Sequence, residues 1–305
     1  MSRHPVSVYV ILTMTHVLTL VAARDSTALT PATIERVRDA IGGGLPTVLS
    51  LGEAVDLTCP SAPDLPQVRA ALEAAPVDAI VTSAANRRKN LLIADMDSTI
   101  VNGETLDDLA AHAGLGAQIA AITVRAMNGE LDFKDALRER VGMLKGLTVS
   151  ALEQTWRGLH LTGGAMELVA TMRAHGAYTA LVSGGFTYFT SRVMARVGFD
   201  THRSNELLDD GRVLLGRVRE PILDRLAKLE TLRELVTRHG LTEDDVLAVG
   251  DGANDLDMLQ AAGLGVAFHA KPVVAAAARA RVDHGDLRAL LFAQGYPASA
   301  FVPGL

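Results

Sequence analysis

The sequence predicts an α/β protein: a doubly wound parallel sheet with a small helical cap inserted after its first strand, preceded by a small α+β unit. Three observations carry that prediction. Four apolar runs (Leu91–Ala94, Ala177–Val182, Val246–Val249 and Leu264–Phe268) are continuous rather than alternating, as expected for strands buried on both faces. Helical patterns at Gly164–His175, Phe186–Val197, Ile222–His239 and Ala253–Ala262 lie between them, and strands that alternate with helices wind into a parallel sheet. The stretch between the first two runs is too long for one crossover. It holds amphipathic patterns at Thr105–Ala113, Gln118–Met127 and Phe133–Leu144, and reads as a cap over about residues 104–160.

The chain upstream of this sheet divides in two. Residues 1–13 read as an extension, and residues 14–86 as a compact unit ahead of a main domain at 87–305. The apolar stretch from Pro5 to Ala23 follows Arg3 and ends in Val21-Ala22-Ala23, which imitates a secretory signal. His16 and several threonines interrupt it, making it too polar for a membrane span. His16–Ala23 reads instead as a strand, with the domain starting near Met14. A helix follows, with Thr30 as its cap, Pro31 at its first position and Gly42-Gly43-Gly44 as its stop. A strand at Pro46–Leu51, a loop at Cys59–Asp64, a helix at Leu65–Ala74 and a strand at Val77–Val81 complete a β-α-β-α-β rhythm without catalytic residues. That points to a regulatory or dimerising unit.

Composition narrows the function. The 305 residues are 49% hydrophobic and 21% charged, an ordinary globular balance. A formal net charge of −6 argues against a nucleic-acid partner, which requires clustered cations. The basic run Arg87-Arg88-Lys89 is short and reads as a solvated interdomain turn. The single cysteine, Cys59, has no partner for an internal disulfide and reads as a small apolar residue, compatible with a cytoplasmic protein.

The chemistry lies at the strand ends. In open α/β sheets ligands sit beyond the carboxyl ends of the strands. Here the first strand ends in Asp95-Met96-Asp97-Ser98-Thr99, the second in Ser183-Gly184-Gly185 and a later one in Gly250-Asp251-Gly252-Ala253-Asn254-Asp255. A D-x-D-x-T match alone is a weak signal. Two acidic motifs closing parallel strands, with a phosphate-type Ser-Gly-Gly between them, form a strong one. Asp95 can attack phosphorus, and an aspartyl-phosphate splits a very slow hydrolysis into two steps. Asp97, two residues on, can protonate the leaving alkoxide and then serve as base on water. A carboxylate facing a phosphate dianion requires cations. Mg²⁺ suits an all-oxygen site, with the Asp95 carboxylate, the Asp97 backbone carbonyl and Asp251 as expected ligands. Lys228 lies in the helix before the Asp251 strand, where position alone does not select it over the neighbouring lysines and arginines.

These elements together resemble the haloacid dehalogenase superfamily. The continuation of the first motif through Ile100-Val101-Asn102-Gly103-Glu104-Thr105, the segment Met127–Arg140, the motif Val249–Asp255 and the run Phe268-His269-Ala270-Lys271-Pro272 are similar to the phosphoserine phosphatase family, from about Leu91 to Leu290. The resemblance implies a haloacid-dehalogenase-like fold and hydrolysis of O-phosphoserine to serine and phosphate, the last step of serine biosynthesis. By position it assigns phosphate binding to Ser183 and Gly184, charge neutralisation to Lys228, support of the metal site to Asp255 and a phosphate-side contact to Asn254. It gives the substrate ammonium to Glu104 and the carboxylate to Arg140, with Met127 and Phe133 closing the pocket. From the residues alone, Glu104 could instead complement a helix dipole, and Arg140 could pair with Glu139 or Glu130. The chain has Gly163 where the family often has proline. The first unit resembles, in rhythm only, the ACT-like modules found ahead of this enzyme in bacteria, in keeping with a homodimer.

Other readings are a phosphatase or phosphotransferase acting on another small phosphomonoester, and a catalytically inactive amino-acid sensor. The intact set Asp95, Asp97, Ser183, Lys228 and Asp251 argues against the sensor, which has no need of a nucleophile with its acid.

Overall fold

The computed structural model describes residues 15–127 and 130–304, with only the backbone of Ala126 and Met127. The extension expected at 1–13, and Met14 with it, lie outside the described residues.

The first unit consists of β1 (His16–Ala22), α1 (Pro31–Ile41), β2 (Thr47–Ser50), β3 (Ala54–Cys59), α2 (Leu65–Leu72) and β4 (Val77–Ser83). Its antiparallel sheet has the order β2-β3-β1-β4, a split β-α-β arrangement. α1 starts where Thr30 Oγ1 accepts the Thr33 amide N–H, with Pro31 behind it, and stops at Gly42, whose φ of 60° suits glycine.

β3 corrects the expected β-α-β-α-β rhythm, and Cys59 is the buried last residue of that strand rather than the start of a loop. The sequence hides β3 because Asp56 sits in its middle, where a carboxylate looks like a solvated turn. In the fold Asp56 is buried, and Arg87 donates to both its oxygens at 2.6 and 2.7 Å. The same guanidinium reaches Thr19 Oγ1 and the carbonyl of Ala293. Arg87-Arg88-Lys89 is therefore no solvated turn. Lys89 is also buried, its Nζ donating to the carbonyls of Asn86 and Asp244, and Arg88 lies over the Tyr296 ring. Charge clusters are solvated by default, but here the basic run fills the junction with the main sheet.

The main sheet opens with β5 (Leu91–Ala94), followed by one turn at Met96–Ile100 and β6 (Val101–Asn102). The cap follows as α3 (Thr105–His112), α4 (Gly116–Met127), α5 (Phe133–Met143) and α6 (Val149–Gly158), and β7 (His160–Leu161) returns to pair with β6. α6 was not anticipated. The chain continues through α7 (Ala165–Ala174), β8 (Tyr178–Phe186), α8 (Thr187–Val197), β9 (Thr201–Asn205), and the hairpin β10 (Leu207–Asp209) and β11 (Leu214–Val218). Then come α9 (Arg225–His239), β12 (Val246–Gly250), α10 (Leu256–Ala261), β13 (Leu264–Phe268), α11 (Pro272–Ala277), β14 (Ala280–Val282) and α12 (Ala289–Ala293).

Two boundaries move for local reasons. α9 begins at Arg225, not Ile222, because Asp224 caps the N–H groups of Leu226 and Ala227. The Ala253–Asp255 segment forms a tight turn ahead of α10 instead of joining it. β9 was missed because Thr-His-Arg-Ser-Asn has no apolar run, which an edge strand does not require.

The six strands are parallel in the order β14-β13-β12-β5-β8-β9. Alternate residues of one strand enter opposite cores: Leu91 and Ile93 pack on one face, Leu92 and Ala94 on the other. That two-sided burial is why these strands read as unbroken apolar runs. The chain leaves β5 toward β8 and β9, then returns to build β12, β13 and β14 on the other side. The reversal opens a crevice beside β5 at the carboxyl ends of the strands. No helix among the described residues is long and apolar enough to cross a membrane.

Candidate active site

Strand order places the three motifs side by side. β12, β5 and β8 are neighbours, so Asp251, Asp95 and Ser183 emerge together at one edge of the sheet. The Asp95 amide N–H donates to the Val249 carbonyl at 3.0 Å, tying its backbone to the next strand.

Lys228 reaches this point from α9. Its Nζ lies 2.7 Å from Asp95 Oδ1 and 2.6 Å from Asp255 Oδ1, and all three side chains are buried. The other Asp255 oxygen accepts the Gly252 N–H at 3.0 Å, so Asp255 is held on both sides. A Cβ on Gly250 would come within 2.4 Å of that carboxyl group, so only glycine fits there. Carboxylate oxygens of Asp95, Asp251 and Asp255 all fall within 4.8 Å of one another.

Charge is unbalanced in this cluster. Burial, and then the Asp255 charge, push the Asp95 carboxyl well up against the pull of Lys228. Burial raises Asp251 to about 6, opposed by Lys271. Burial alone would lower the Lys228 ammonium, but Asp255 and Asp95 carry it above its ordinary value. Three buried carboxylates facing one ammonium form an all-oxygen donor set short of positive charge, which fits a hard divalent cation.

Asp97 stands beside Asp95, its Oδ1 accepting the Thr105 N–H at 3.0 Å. Burial, and then Glu104, raise it to about 7. Opposite it, Ser183 Oγ accepts the Gly185 N–H at 2.9 Å. A Cβ on Gly185 would lie 2.8 Å from Asp97 Oδ2, so a glycine lets the strand approach the acid. Asn205 escaped the sequence reading. It is buried, it donates to the Gly184 carbonyl at 2.8 Å, and its Oδ1 accepts the Leu223 N–H. It carries no sequence signal, because it ends a polar edge strand far from any motif.

Asp95, Asp97, Ser183, Gly184, Asp251 and Asn254 open into a cavity of about 490 Å³, whose cap side holds Glu104, Phe133 and Arg140. Glu104 stands at the N-cap of α3 but makes no capping bond; its Oε1 instead accepts Ser98 Oγ–H at 3.0 Å. Among the described residues Arg140 has no carboxylate partner. Glu130 and Glu139, its two candidate partners, both pair with Arg125. The Met127 side chain lies outside the described residues. Lys271, which the sequence reading left without a role, also reaches this cavity, its Nζ 3.8 Å from Asp251 Oδ2.

The profile of haloacid dehalogenase-like hydrolases matches residues 92–260, more than half of the chain. The chain belongs to that family. Among curated haloacid dehalogenase relatives, it is 44% identical over 217 residues to a phosphoserine phosphatase of Archaeoglobus fulgidus, covering 71% of this chain and 63% of the relative. It is 46% identical over 202 residues to a phosphoserine phosphatase of Haemophilus influenzae, covering 66% and 64%. The chain thus spans less than two thirds of the length of either relative. Solved structures agree with the fold across both units. A haloacid dehalogenase family hydrolase of Salmonella enterica superposes with a TM-score of 0.83 at 30% identity, over 92% of this chain and 98% of the other. A probable phosphoserine phosphatase of Vibrio cholerae superposes with a TM-score of 0.76 at 31% identity, over 95% and 88%. Phosphatases of this family generally use a divalent metal ion, which agrees with the carboxylate cluster.

Proposed function

We propose that this chain hydrolyses O-phosphoserine to serine and phosphate. The observation that carries the reading is one cavity with two ends. Asp95 and Ser183 lie at its floor with Lys228 behind Asp95, while Glu104 and Arg140, which has no ion-pair partner among the described residues, face them from the cap. A carboxylate and a guanidinium match the ammonium and carboxylate of an amino acid, and the floor suits a phosphate. The names of the relatives support the same substrate.

In this reading Asp95 attacks phosphorus, forming a carboxylate–phosphorus bond as the ester P–O bond breaks. Asp97 gives its proton to the departing serine oxygen. Asp97, now ionised, takes a proton from water. The water oxygen bonds to phosphorus, and the Asp95–phosphorus bond breaks to release phosphate. Lys228 holds the nucleophile and offsets the charge of the phosphate. The Ser183 hydroxyl and the Gly184 amide orient the phosphoryl group, with Asn254 beside them. Asp95, Asp251 and the Asp97 carbonyl would hold Mg²⁺, with Asp255 behind them. Bound there, the ion would offset the repulsion between carboxylate and phosphate. Both Asp255 oxygens are already engaged, which supports its place behind the ligands.

The split β-α-β topology of the first unit supports an ACT-like regulatory or dimerising role for residues 14–86. A lone buried cysteine and a small soluble metabolite as substrate support a cytoplasmic site of action. The deciding experiment compares phosphate release from phosphoserine, phosphothreonine and an aryl phosphate, with and without EDTA. The reading predicts metal-dependent release with phosphoserine the best substrate. Equal rates on all three would point to a general phosphatase.

A further inference from the structure

The run Phe268–Pro272 has no part in the chemistry above, yet its Lys271 lines the pocket. The Lys271 N–H donates to the Asp251 backbone carbonyl at 3.2 Å, and its ammonium faces the Asp251 carboxylate. Two residues earlier, His269 adopts a φ of 42°, a left-handed conformation that side chains occupy only when surroundings hold them there. Two hydrogen bonds provide that hold. The His269 backbone N–H donates to the Val282 carbonyl at 2.8 Å, and its Nε2 lies 2.8 Å from the Gly285 carbonyl.

The loop that carries Gly285 is gripped from the other unit. Asp78, at the start of β4, is 4% exposed. Its carboxylate accepts three consecutive backbone N–H groups: Asp283 at 2.7 Å, His284 at 3.2 Å and Gly285 at 2.7 Å. Gly285 lies so close that a Cβ there would sit 3.2 Å from Asp78 Oδ2. A buried carboxylate satisfied by three main-chain donors fixes the loop in place more firmly than neutral contacts can.

We propose that Asp78 is a positioning residue for the cation side of the pocket, acting through the 283–285 loop and His269 on Lys271 and Asp251. The first unit is then a support of the active site as well as a neighbour to it. This rests on the phosphatase reading for its effect on turnover, but its effect on cation binding is independent of the substrate.

The test uses the full chain and two variants at opposite ends of the path. Asp78→Asn keeps the shape while removing the charge. His269→Asn tolerates the left-handed backbone but is too short to reach Gly285. Isothermal titration with Mg²⁺ alone should show each variant binding about 2- to 30-fold more weakly, with KM for phosphoserine rising similarly and kcat at saturating Mg²⁺ nearly unchanged. The double variant should be no worse than the weaker single variant, since both break one path. Lowered thermal stability with unchanged Mg²⁺ affinity and KM would show a purely structural role and overturn the proposal. So would effects that add in the double variant. If Asp78→Asn does not fold, His269→Asn decides alone: parental Mg²⁺ affinity sinks the idea. A parent that binds Mg²⁺ but releases no phosphate from phosphoserine would refute the substrate assignment and leave this test intact.

Discussion

The Lys228 ammonium sits between two buried carboxylates, 2.7 Å from Asp95 and 2.6 Å from Asp255. In the proposed reaction the lysine is thereby fixed to the attacking carboxylate before substrate arrives, and no reorganisation is needed as charge builds on the phosphoryl oxygens. Replacing Lys228 with methionine keeps much of its bulk but leaves carboxylates facing each other. We expect kcat to fall by at least about 10²-fold, the scale of losing one preorganised charge partner. Circular dichroism must accompany the assay, because breaking a buried pair also costs about 3–5 kcal/mol of stability.

Asp95→Asn removes the proposed nucleophile with the smallest change in shape. Turnover should vanish, and the variant should trap no phosphate on the protein in acid-quenched mass spectra. Activity within about tenfold of the parent, about 1.4 kcal/mol in the barrier, would falsify the covalent route.

Arg140→Ala should separate substrate choice from chemistry. The guanidinium has no carboxylate partner among the described residues, so its loss frees no buried acid. A charged hydrogen bond contributes about 1.5–3 kcal/mol, so kcat/KM on phosphoserine should drop by about 10- to 10²-fold. Hydrolysis of a small aryl phosphate should be nearly unaffected. Equal losses on both substrates would give Arg140 a structural role.

What the sequence disclosed and what it hid follow from the range of the interactions. Asp95, Ser183 and Asp251 were legible because each ends an apolar run, and two-sided burial writes itself into consecutive residues. β3 and the Arg87 junction were not, because Asp56 and Arg87 look like solvated charges until they are brought together across 31 positions of sequence. Asn205 was invisible for a related reason. Its work is to hold Gly184 in place, through contacts with residues 21 and 18 positions away, and a polar edge strand announces no such partner. Arg140 was left open between two readings, and only the pairing of Glu130 and Glu139 with Arg125 removed one of them.

Metal removal should act on stability as well as on rate. Asp95, Asp251 and Asp255 repel one another with one lysine among them, so a bound cation stabilises the folded state selectively. At about 100 times its Kd, Mg²⁺ should add about 2.7 kcal/mol, visible as a higher melting temperature that EDTA reverses. An identical melting curve with and without Mg²⁺ would contradict the placing of a cation at this cluster.

The junction between the two units makes a final prediction. Arg87 bridges Asp56 of the first sheet to the carbonyl of Ala293, the last residue of α12, and both charged side chains are shielded from water. Screening is weak there, so Arg87→Ala strands a buried carboxylate and should destabilise the protein by about 3–5 kcal/mol in urea titrations. The double replacement Asp56→Leu with Arg87→Met removes both charges and should recover most of that loss, since a buried ion pair adds little net stability over apolar side chains of similar size. If the double variant is as unstable as Arg87→Ala, the guanidinium matters chiefly for its bonds to the Ala293 carbonyl and Thr19, not for neutralising Asp56.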